Sequence, residues 1–270
     1  MEPTAPERRA PRLIAADMPF ASIRVTSSDT VLDCSSVDHA AGSLCGLLGL
    51  SPAELVARVG EIEVDWGHHS ISSENQVLIQ LGVDPSTPPE PAAVRWFHAT
   101  RAIPGTKFEE GLLPTLEAMP KVWEALGLCA AEWLSASEWS DYQRSFSGHL
   151  DRKRMAPGWQ GPFAFLVKDA ALHKHEGHKD FTRMCETAED ICVHFQRVHG
   201  YSLRQVYEEL ARPCLVVFTW PGARAGTVRA AANYLHRSLR GIECGLHCNT
   251  NFSGRGKPVP FSLIDRVEWL

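Results

Sequence analysis

Two spacings of hydrophobic residues divide the chain into predicted strands and predicted helices. Short apolar or alternating runs are typical of strands, whereas apolar residues three and four positions apart are typical of a buried helix face. The predicted strands are Ala21–Asp33, Ala93–Ala99, Pro162–Val167, Cys214–Trp220, Ile242–His247 and Phe261–Trp269. The predicted helices are His39–Leu48, one that starts at Ser51, Ser73–Leu81, Thr115–Leu126, Ala130–Phe146, Phe181–Val198, Ser202–Leu210 and Thr227–Leu239, with a helical turn at Phe108–Leu113.

Explicit start and stop signals mark two of these helices. Ser51 is a predicted N-cap, with Pro52 at the first helical position and Glu54 at the third. Thr227–Leu239 is followed by Gly241, a residue that commonly ends a helix. Both signals are local, so we expect these boundaries to hold whatever the fold.

Four prolines between residues 83 and 91 interrupt the pattern and predict the main boundary in the chain. We therefore divide it into a disordered tail (1–20), a small accessory α/β region (21–84), a Pro-rich linker (85–91) and a main domain (92–270). In the main domain the strands are short and the gaps between them long. This pattern predicts an α+β fold, with a split mixed β-sheet core and surrounding helices, rather than a doubly wound sheet.

Composition narrows the class of protein further. Of the 270 residues, 44% are hydrophobic and 22% are charged, which is ordinary for a packed globular chain. A net charge of −5 argues against a surface built mainly to hold nucleic-acid phosphate. No apolar run reaches the roughly 18 residues of a membrane span, and the first twelve residues lack the apolar core of a signal peptide. We expect a cytoplasmic protein whose eight cysteines are reduced.

One segment carries a pattern with chemical meaning. Residues 95–101 read RWFHATR, an aromatic strand that ends in His-x-Thr, and residues 108–114 read FEEGLLP. This pair resembles the first signature of the ADP-ribosyltransferase fold, which diphtheria-type toxins, poly(ADP-ribose) polymerases and tRNA 2′-phosphotransferases share. In that superfamily a strand carries His-Gly-Thr or His-x-Thr, and the next turn closes with Gly-Leu.

The resemblance implies roles in NAD binding for four neighbouring residues. His98 would contact the nicotinamide ribose, because a His at a strand end holds a fixed tautomer and can bond a hydroxyl. The backbone of Ala99 would bond the carboxamide, since a small residue allows close approach. Thr100 would fix the strand end through its hydroxyl, and Arg101 would reach the pyrophosphate.

The second element of the superfamily is a strand with an aromatic residue that stacks on the nicotinamide. Residues 161–167 read GPFAFLV and fit such a strand. The usual Tyr is absent, so the resemblance assigns the stacking face to Phe163 or Phe165.

The third element is usually a Glu at the front of a late strand, which stabilises an oxocarbenium-like transition state. Here no Glu begins the last predicted strand; Glu243 precedes the loop and is the candidate catalytic carboxylate, and Glu268 lies near the chain end. Arg255 and Lys257, flanked by glycines, are candidate phosphate ligands. The departure allows a mono-transferase with a hydrophobic third residue, a phosphotransfer-type reaction or a fold without activity.

Two groups of histidines and cysteines are conceivable zinc sites, at residues 172–178 (LHKHEGH) and 244–248 (CGLHC). Their spacings match no established zinc motif, and adjacent ligands are unfavourable in a tetrahedral site. We therefore predict no metal.

Taken together, the sequence predicts an NAD-dependent mono-ADP-ribosyltransferase or NAD glycohydrolase, with NAD as substrate and a protein or nucleic acid as conceivable acceptor. One alternative is a non-catalytic nucleotide- or partner-binding module on the same fold. A second alternative is an RNA phosphate-processing enzyme of the 2′-phosphotransferase type, which needs a basic groove. The candidates for that groove are Arg95, Arg101, Arg152, Lys153, Arg154 and Arg255.

Overall fold

The computed structural model describes residues 28–64, 73–146, 148, 160–173, 180–224 and 226–270. The described part contains both strands and helices, which confirms the predicted α+β class. The predicted tail (1–20), the first part of the first predicted strand and the basic residues 152–154 lie outside the described residues.

A six-stranded mixed sheet forms the centre of the molecule, in the order β5-β3-β2-β4-β6 with β1 beside β2. β1 is parallel to β2 and the other pairs are antiparallel. The strands are β1 (Ser28–Leu32), β2 (Pro91–Ala102), β3 (Phe163–Phe165), β4 (Arg212–Pro221), β5 (Asn251–Ser253) and β6 (Ile264–Trp269).

The long strand β2 has two different neighbours along one edge. β1 pairs with its first residues, through Leu32↔Val94, and β3 pairs further along, at Phe97↔Phe165. β4 covers the other edge from residue 93 to residue 102. His98 therefore lies on the central strand, where β3 and β2 part.

Nine helices are described around this sheet. They are α1 (Val37–Leu48), α2 (Pro52–Glu61), α3 (Ser73–Gln80), α4 (Thr115–Ala130), α5 (Ala136–Phe146), α6 (Lys168–Ala171), α7 (Glu186–His199), α8 (Leu203–Leu210) and α9 (Thr227–Leu239). The capping box predicted at Ser51 and Glu54 is confirmed, because each side chain bonds the other residue's backbone N–H. The bounds predicted for α9 are also confirmed.

Several predicted elements differ from the structure in type or bounds. The predicted helix Ala130–Phe146 begins at Ala136, and the predicted strand Phe261–Trp269 begins at Ile264 after a 3₁₀ turn. A strand is predicted at Ile242–His247, but the described chain forms a 3₁₀ helix at Gly245–Cys248, because Gly245 has a positive φ that breaks an extended run. The predicted helix Phe181–Val198 begins only at Glu186. Its first residues form turns, and Phe181 packs against Phe165 instead.

The buried hydrophobic residues form two main cores. The larger one lies between the sheet and α1, α3 and α9, with Trp96, Phe218 and Phe252 at its sheet side. The second lies within α4, α5, α7 and α8, around Tyr142 and Phe195. This helical part is attached to the sheet through α8 and the start of β4.

Residues on both sides of the Pro-rich segment 85–91 share one sheet and one core. β1 pairs with β2, and Leu44 of α1 and Val77 of α3 lie in the same buried cluster as Trp96 and Leu235. The segment thus connects α3 to β2, two elements that contribute to the same buried cluster.

Within the described ranges, no helix by itself combines the length and apolar character of a membrane span. Only α1 and α2 taken together meet both conditions, and they are bent by 102° relative to each other.

Candidate functional site

His98 faces the same side of the sheet as the larger core. Successive residues of β2 point to opposite faces, so His98 shares its face with Trp96 and Thr100, whereas Phe97 and Ala99 face the other side. The imidazole is half-buried, and its Nδ1 lies 2.6 Å from the carbonyl oxygen of Phe163. The ring thus joins β2 to β3 at the point where their backbones part.

The contact with Phe163 fixes the tautomer of His98. A carbonyl oxygen only accepts hydrogen bonds, so Nδ1 carries the proton and Nε2 presents a lone pair. Burial lowers the pKa of His98 below its ordinary value, and the bond to the Phe163 carbonyl opposes that shift only in part. At neutral pH the ring is therefore uncharged and offers Nε2 as an acceptor or base.

This assignment gives a direct expectation for the titration of His98. We expect the midpoint of ring protonation to lie below about pH 6.5, the ordinary His value, with Nδ1–H as the neutral tautomer. The folded protein takes up this proton less readily than the unfolded chain, so His98 lowers stability as the pH falls from about 6.5 through its folded pKa. Two-dimensional ¹H–¹⁵N spectra of the ring, compared with His98→Gln for assignment, measure both properties. A midpoint above the ordinary value contradicts the buried neutral ring.

A row of side chains extends from His98 across the neighbouring strands. Continuing the Phe97↔Phe165 register places Ala164 beside His98, and Ala164 pairs with Phe252 of β5. With strands about 4.8 Å apart, the backbones of His98 and Phe252 lie about 10 Å from each other, and the Phe252 ring packs against Trp96, Phe218 and Trp220 on the same face. The guanidinium of Arg224 lies 4.1 Å above the Phe252 ring. The row thus has an imidazole at one end and a cation on an aromatic ring at the other.

Arg224 shares this end of the row with a second cation, Arg255. Burial and the nearby charge of Arg255 lower the pKa of Arg224. Among the described residues, neither guanidinium has a carboxylate partner. Two positive charges near each other repel, and an anion such as phosphate relieves that repulsion.

Both arginines lie on glycine-containing loops next to the row. Arg224 lies between Gly222 and Gly226, both with positive φ, in the turn from β4 to α9. Arg255 itself has a φ of 51°, and its backbone N–H donates to the Ser253 hydroxyl. The Arg255 loop is held by backbone bonds from Gly254 to Pro162 and from Gly256 to Gly161.

The turn that follows β2 borders the same region. Leu112 and Val259 exchange two backbone hydrogen bonds, both of 2.9 Å, so the predicted Gly-Leu-Leu turn pairs with the late loop. Gly111 has a φ of 80°, and a Cβ there would lie 2.0 Å from the Val259 oxygen. The turn and the loop carrying Arg255 are therefore one connected rim.

The other residues that the resemblance assigns to NAD binding are divided between the two faces of the sheet. Ala99 is buried on the face opposite His98, and Thr100 pairs with Cys214 of β4. Phe163 and Phe165 are on the strand next to His98, but their rings lie on the opposite face, where Phe165 packs against Phe181. The aromatic rings on His98's own face are instead those of Trp96, Phe218, Trp220 and Phe252, which pack against one another.

Arg101 points away from His98, towards the helical part. Its Nη1 donates to the carbonyls of Glu208 and Ala211, at 2.8 and 2.7 Å. Arg95, a candidate for an RNA groove, lies between the carboxylates of Asp33 and Asp265. Both guanidinium groups therefore have structural partners, which leaves Arg224 and Arg255 as the better candidates for a phosphate.

Glu243, the candidate catalytic carboxylate, belongs to a different cluster. One of its carboxylate oxygens lies 3.7 Å from His173 Nε2, and its backbone carbonyl accepts from Arg237. Glu268 binds Lys168 and Arg266 on the face opposite His98. No hydrogen bond or ion pair between described residues joins either carboxylate to His98.

Arg224 and Phe252 are the site residues that sequence reasoning missed. The signal for Arg224 is weak, a single Arg between two glycines after the clearest strand. The sequence signal for Phe252 is also weak, because it is a single apolar residue between two polar ones shortly before Gly254. No group of three or more metal-ligating residues occurs in the ranges that the structure covers. His175 and His178 lie outside them.

Comparison with protein-family models, with curated proteins and with solved structures finds no match to this chain.

Proposed function

We propose that this chain binds NAD on the His98 face of the sheet and transfers or hydrolyses its ADP-ribosyl group, on an ADP-ribosyltransferase-like fold. The observation that carries the proposal is the neutral Nδ1–H tautomer of His98, which leaves Nε2 to accept a hydrogen bond from a ribose hydroxyl. Fixing one tautomer in advance orients the sugar without a reorganisation cost on binding.

The charge arrangement supports a ligand with two phosphates. Arg224 lies over the Phe252 ring, on the face of the sheet that His98 shares, and the charge of Arg255 is near enough to lower the pKa of Arg224. A pyrophosphate carries two negative charges and would satisfy both guanidinium groups. In the proposed complex the ribose of the dinucleotide lies at His98 and its phosphates lie at the arginines.

The proposed chemistry is substitution at the anomeric carbon of the nicotinamide ribose. The bond from that carbon to the nicotinamide nitrogen breaks, with its electron pair staying on the nitrogen. A bond to the acceptor oxygen or nitrogen forms, and the proton of the acceptor passes to water. Nicotinamide leaves as a neutral molecule, so the protein contributes mainly positioning and electrostatic stabilisation. His98 would hold the ribose, while Arg224 and Arg255 hold the phosphates.

One observation favours a second candidate, a nucleotide-binding module without turnover. Among the described contacts, neither Glu243 nor Glu268 reaches His98, and Glu243 binds His173 instead. Without a carboxylate near the ribose, stabilisation of an oxocarbenium-like transition state is weaker. The two candidates share the binding site and differ in nicotinamide release.

Binding and turnover measured on the same variants test the proposal. We expect His98→Ala and Arg224→Gln each to weaken NAD binding about tenfold, the usual effect of losing one hydrogen-bonding or charged contact. Arg58→Gln, at an exposed Arg of α2, serves as the control and should bind as the wild type does. Calorimetry gives the affinity, and chromatography of the reaction mixture gives nicotinamide release.

The outcomes separate the candidates. Release that falls with His98→Ala supports the transferase or glycohydrolase, whereas binding without release supports the binding module. Equal affinity of wild type, His98→Ala and Arg224→Gln for NAD would overturn both candidates, because NAD would then bind without contacting His98 or Arg224.

A further inference from the structure

The strand β6 leaves one edge of the sheet open within the described ranges. It ends the order β5-β3-β2-β4-β6, with β4 as its neighbour on the inner side. An open edge presents unpaired backbone N–H and C=O groups, which can bind another strand. Because β4 separates β6 from the strand that carries His98, this edge is independent of the site proposed for NAD.

The hydrogen bonds to β4 determine which backbone groups of β6 point outward. The N–H of Leu270 donates to the carbonyl of Pro213 at 3.0 Å, in line with the register of the two strands. In an antiparallel pair, residues that bond the neighbouring strand alternate with residues whose backbone groups point the other way. Counting back from Leu270 to Arg266, every second residue therefore bonds β4. The N–H and C=O groups of Val267 and Trp269 point away from β4.

Two opposite charges flank Val267 on one face of β6. Nε and Nη2 of Arg266 lie 2.9 and 2.7 Å from Oε1 of Glu268, whose Oε2 binds Lys168. Within the described ranges, Nη1 of Arg266 has no acceptor, so this guanidinium retains donors for a further carboxylate. The order Arg-Val-Glu is self-complementary, because an antiparallel copy presents Glu where the first strand has Arg.

We propose that β6 pairs with β6 of a second copy of this chain, antiparallel and centred on Val267, so that the two sheets join across a two-fold axis. In this register the two Val267 residues lie opposite each other, and the outward backbone groups of both strands meet. Arg266 of each copy lies opposite Glu268 of the other, and its Nη1 donates to that carboxylate. Trp269, which is 41% exposed, comes beside the Ile264–Asp265 end of the other copy.

The outward backbone groups and the charges together select this register. A shift by one residue places outward-pointing residues opposite residues that already bond β4, which leaves hydrogen bonds between the copies unmade. A pairing centred on Arg266 or on Glu268 restores those hydrogen bonds, but it puts two like charges directly opposite each other, which is destabilising. The edge therefore matches a second copy of itself in one register.

Sedimentation velocity of the full-length protein over a concentration series tests the proposal. We expect the wild-type protein to approach twice the chain mass of 29.9 kDa as its concentration rises. Hydrogen exchange locates the contact, because the amides of Val267 and Trp269 should exchange about tenfold more slowly in the dimer than in the monomer. A wild type that stays monomeric, or whose two amides exchange equally fast across the series, contradicts the proposal.

Two charge variants test the register. Arg266→Glu and Glu268→Arg each place like charges opposite each other at two points of the dimer, so we expect each to weaken self-association about tenfold. Mixed in equal amounts, the two variants are complementary again and should associate with each other about as tightly as the wild type does. Arg58→Glu makes the same charge change on an exposed residue of α2 and should leave association unchanged.

Self-association of Arg266→Glu as tight as that of the wild type, or a mixture of the two variants that stays monomeric while both are folded by circular dichroism, would place the contact elsewhere and overturn the proposal. The mass and hydrogen-exchange measurements on the wild type do not depend on the variants folding. They also do not involve NAD, so their failure is distinct from a failure of the proposed function.

Discussion

Gly111→Ala is expected to lower the free energy of unfolding by about 3 kcal/mol, combining a strained backbone with a clash against a fixed group. Gly111 has a φ of 80°, a conformation that alanine adopts only at a cost. The added Cβ would lie 2.0 Å from the Val259 oxygen, which is itself bonded to the Leu112 N–H. The clash therefore has to be relieved by moving backbone, which separates the turn from the late loop. Urea denaturation followed by circular dichroism measures the loss.

Gly105→Ala provides the control for this prediction. Gly105 also has a positive φ, 92°, but the space that a Cβ would occupy there has no neighbouring atom within 4 Å. We expect this variant to lose only about 1 kcal/mol, the contribution of the backbone conformation alone. The difference between the two variants isolates the contact with Val259. Equal losses would mean that the turn and the loop are not held together as the structure shows.

Local signals account for the elements that the sequence predicts well. Ser51 and Glu54 complete a capping box within four residues, and α9 ends at the predicted residue because Gly241 follows it. Such contacts form within one turn of chain, so they do not depend on how the rest folds. The short apolar run at 242–247 carries no comparable signal, and it forms a 3₁₀ helix instead of the predicted strand.

Sheet register explains what the sequence could not provide at the site. The apolar run at residues 162–167 predicts the strand containing Phe163 and Phe165. The face on which each ring lies depends on pairing with β2, which lies much earlier in the chain. The register Phe97↔Phe165 turns both rings away from His98. It also places Ala164 and Phe252 on His98's side. A shift by one residue would exchange the two faces, and no local pattern encodes that choice.

The choice of a phosphate-binding arginine also depends on which face of the sheet each side chain occupies. Arg101 follows His98 by three residues, so alternation along β2 places the two side chains on opposite faces. Arg224 is remote in sequence, but its loop brings it over Phe252 in the row that starts at His98. Nearness in sequence favours Arg101 for the phosphate, whereas the fold favours Arg224.

Arg101→Met is accordingly expected to destabilise the protein by about 3 kcal/mol, because two charge-assisted hydrogen bonds are lost. Nη1 of Arg101 donates to the carbonyls of Glu208 and Ala211, at the end of α8. Methionine keeps the apolar stem of the side chain but has no donor, so both carbonyls lose this partner. Arg212→Met, at an exposed Arg paired across the strands with Ala102, should cost less than about 0.5 kcal/mol.

The same variant decides between the structural and the phosphate-binding interpretation of Arg101. If its guanidinium only joins β2 to α8, Arg101→Met shifts the urea midpoint while the folded protein binds NAD as tightly as the wild type. If Arg101 instead contacts the pyrophosphate, affinity falls about tenfold and the midpoint stays where it is. Calorimetry without urea, at a temperature well below the unfolding transition, keeps the two effects apart. Because Arg224→Gln is expected to give the reverse pattern, weaker binding with little loss of stability, the pair of variants assigns each guanidinium to one face of the sheet.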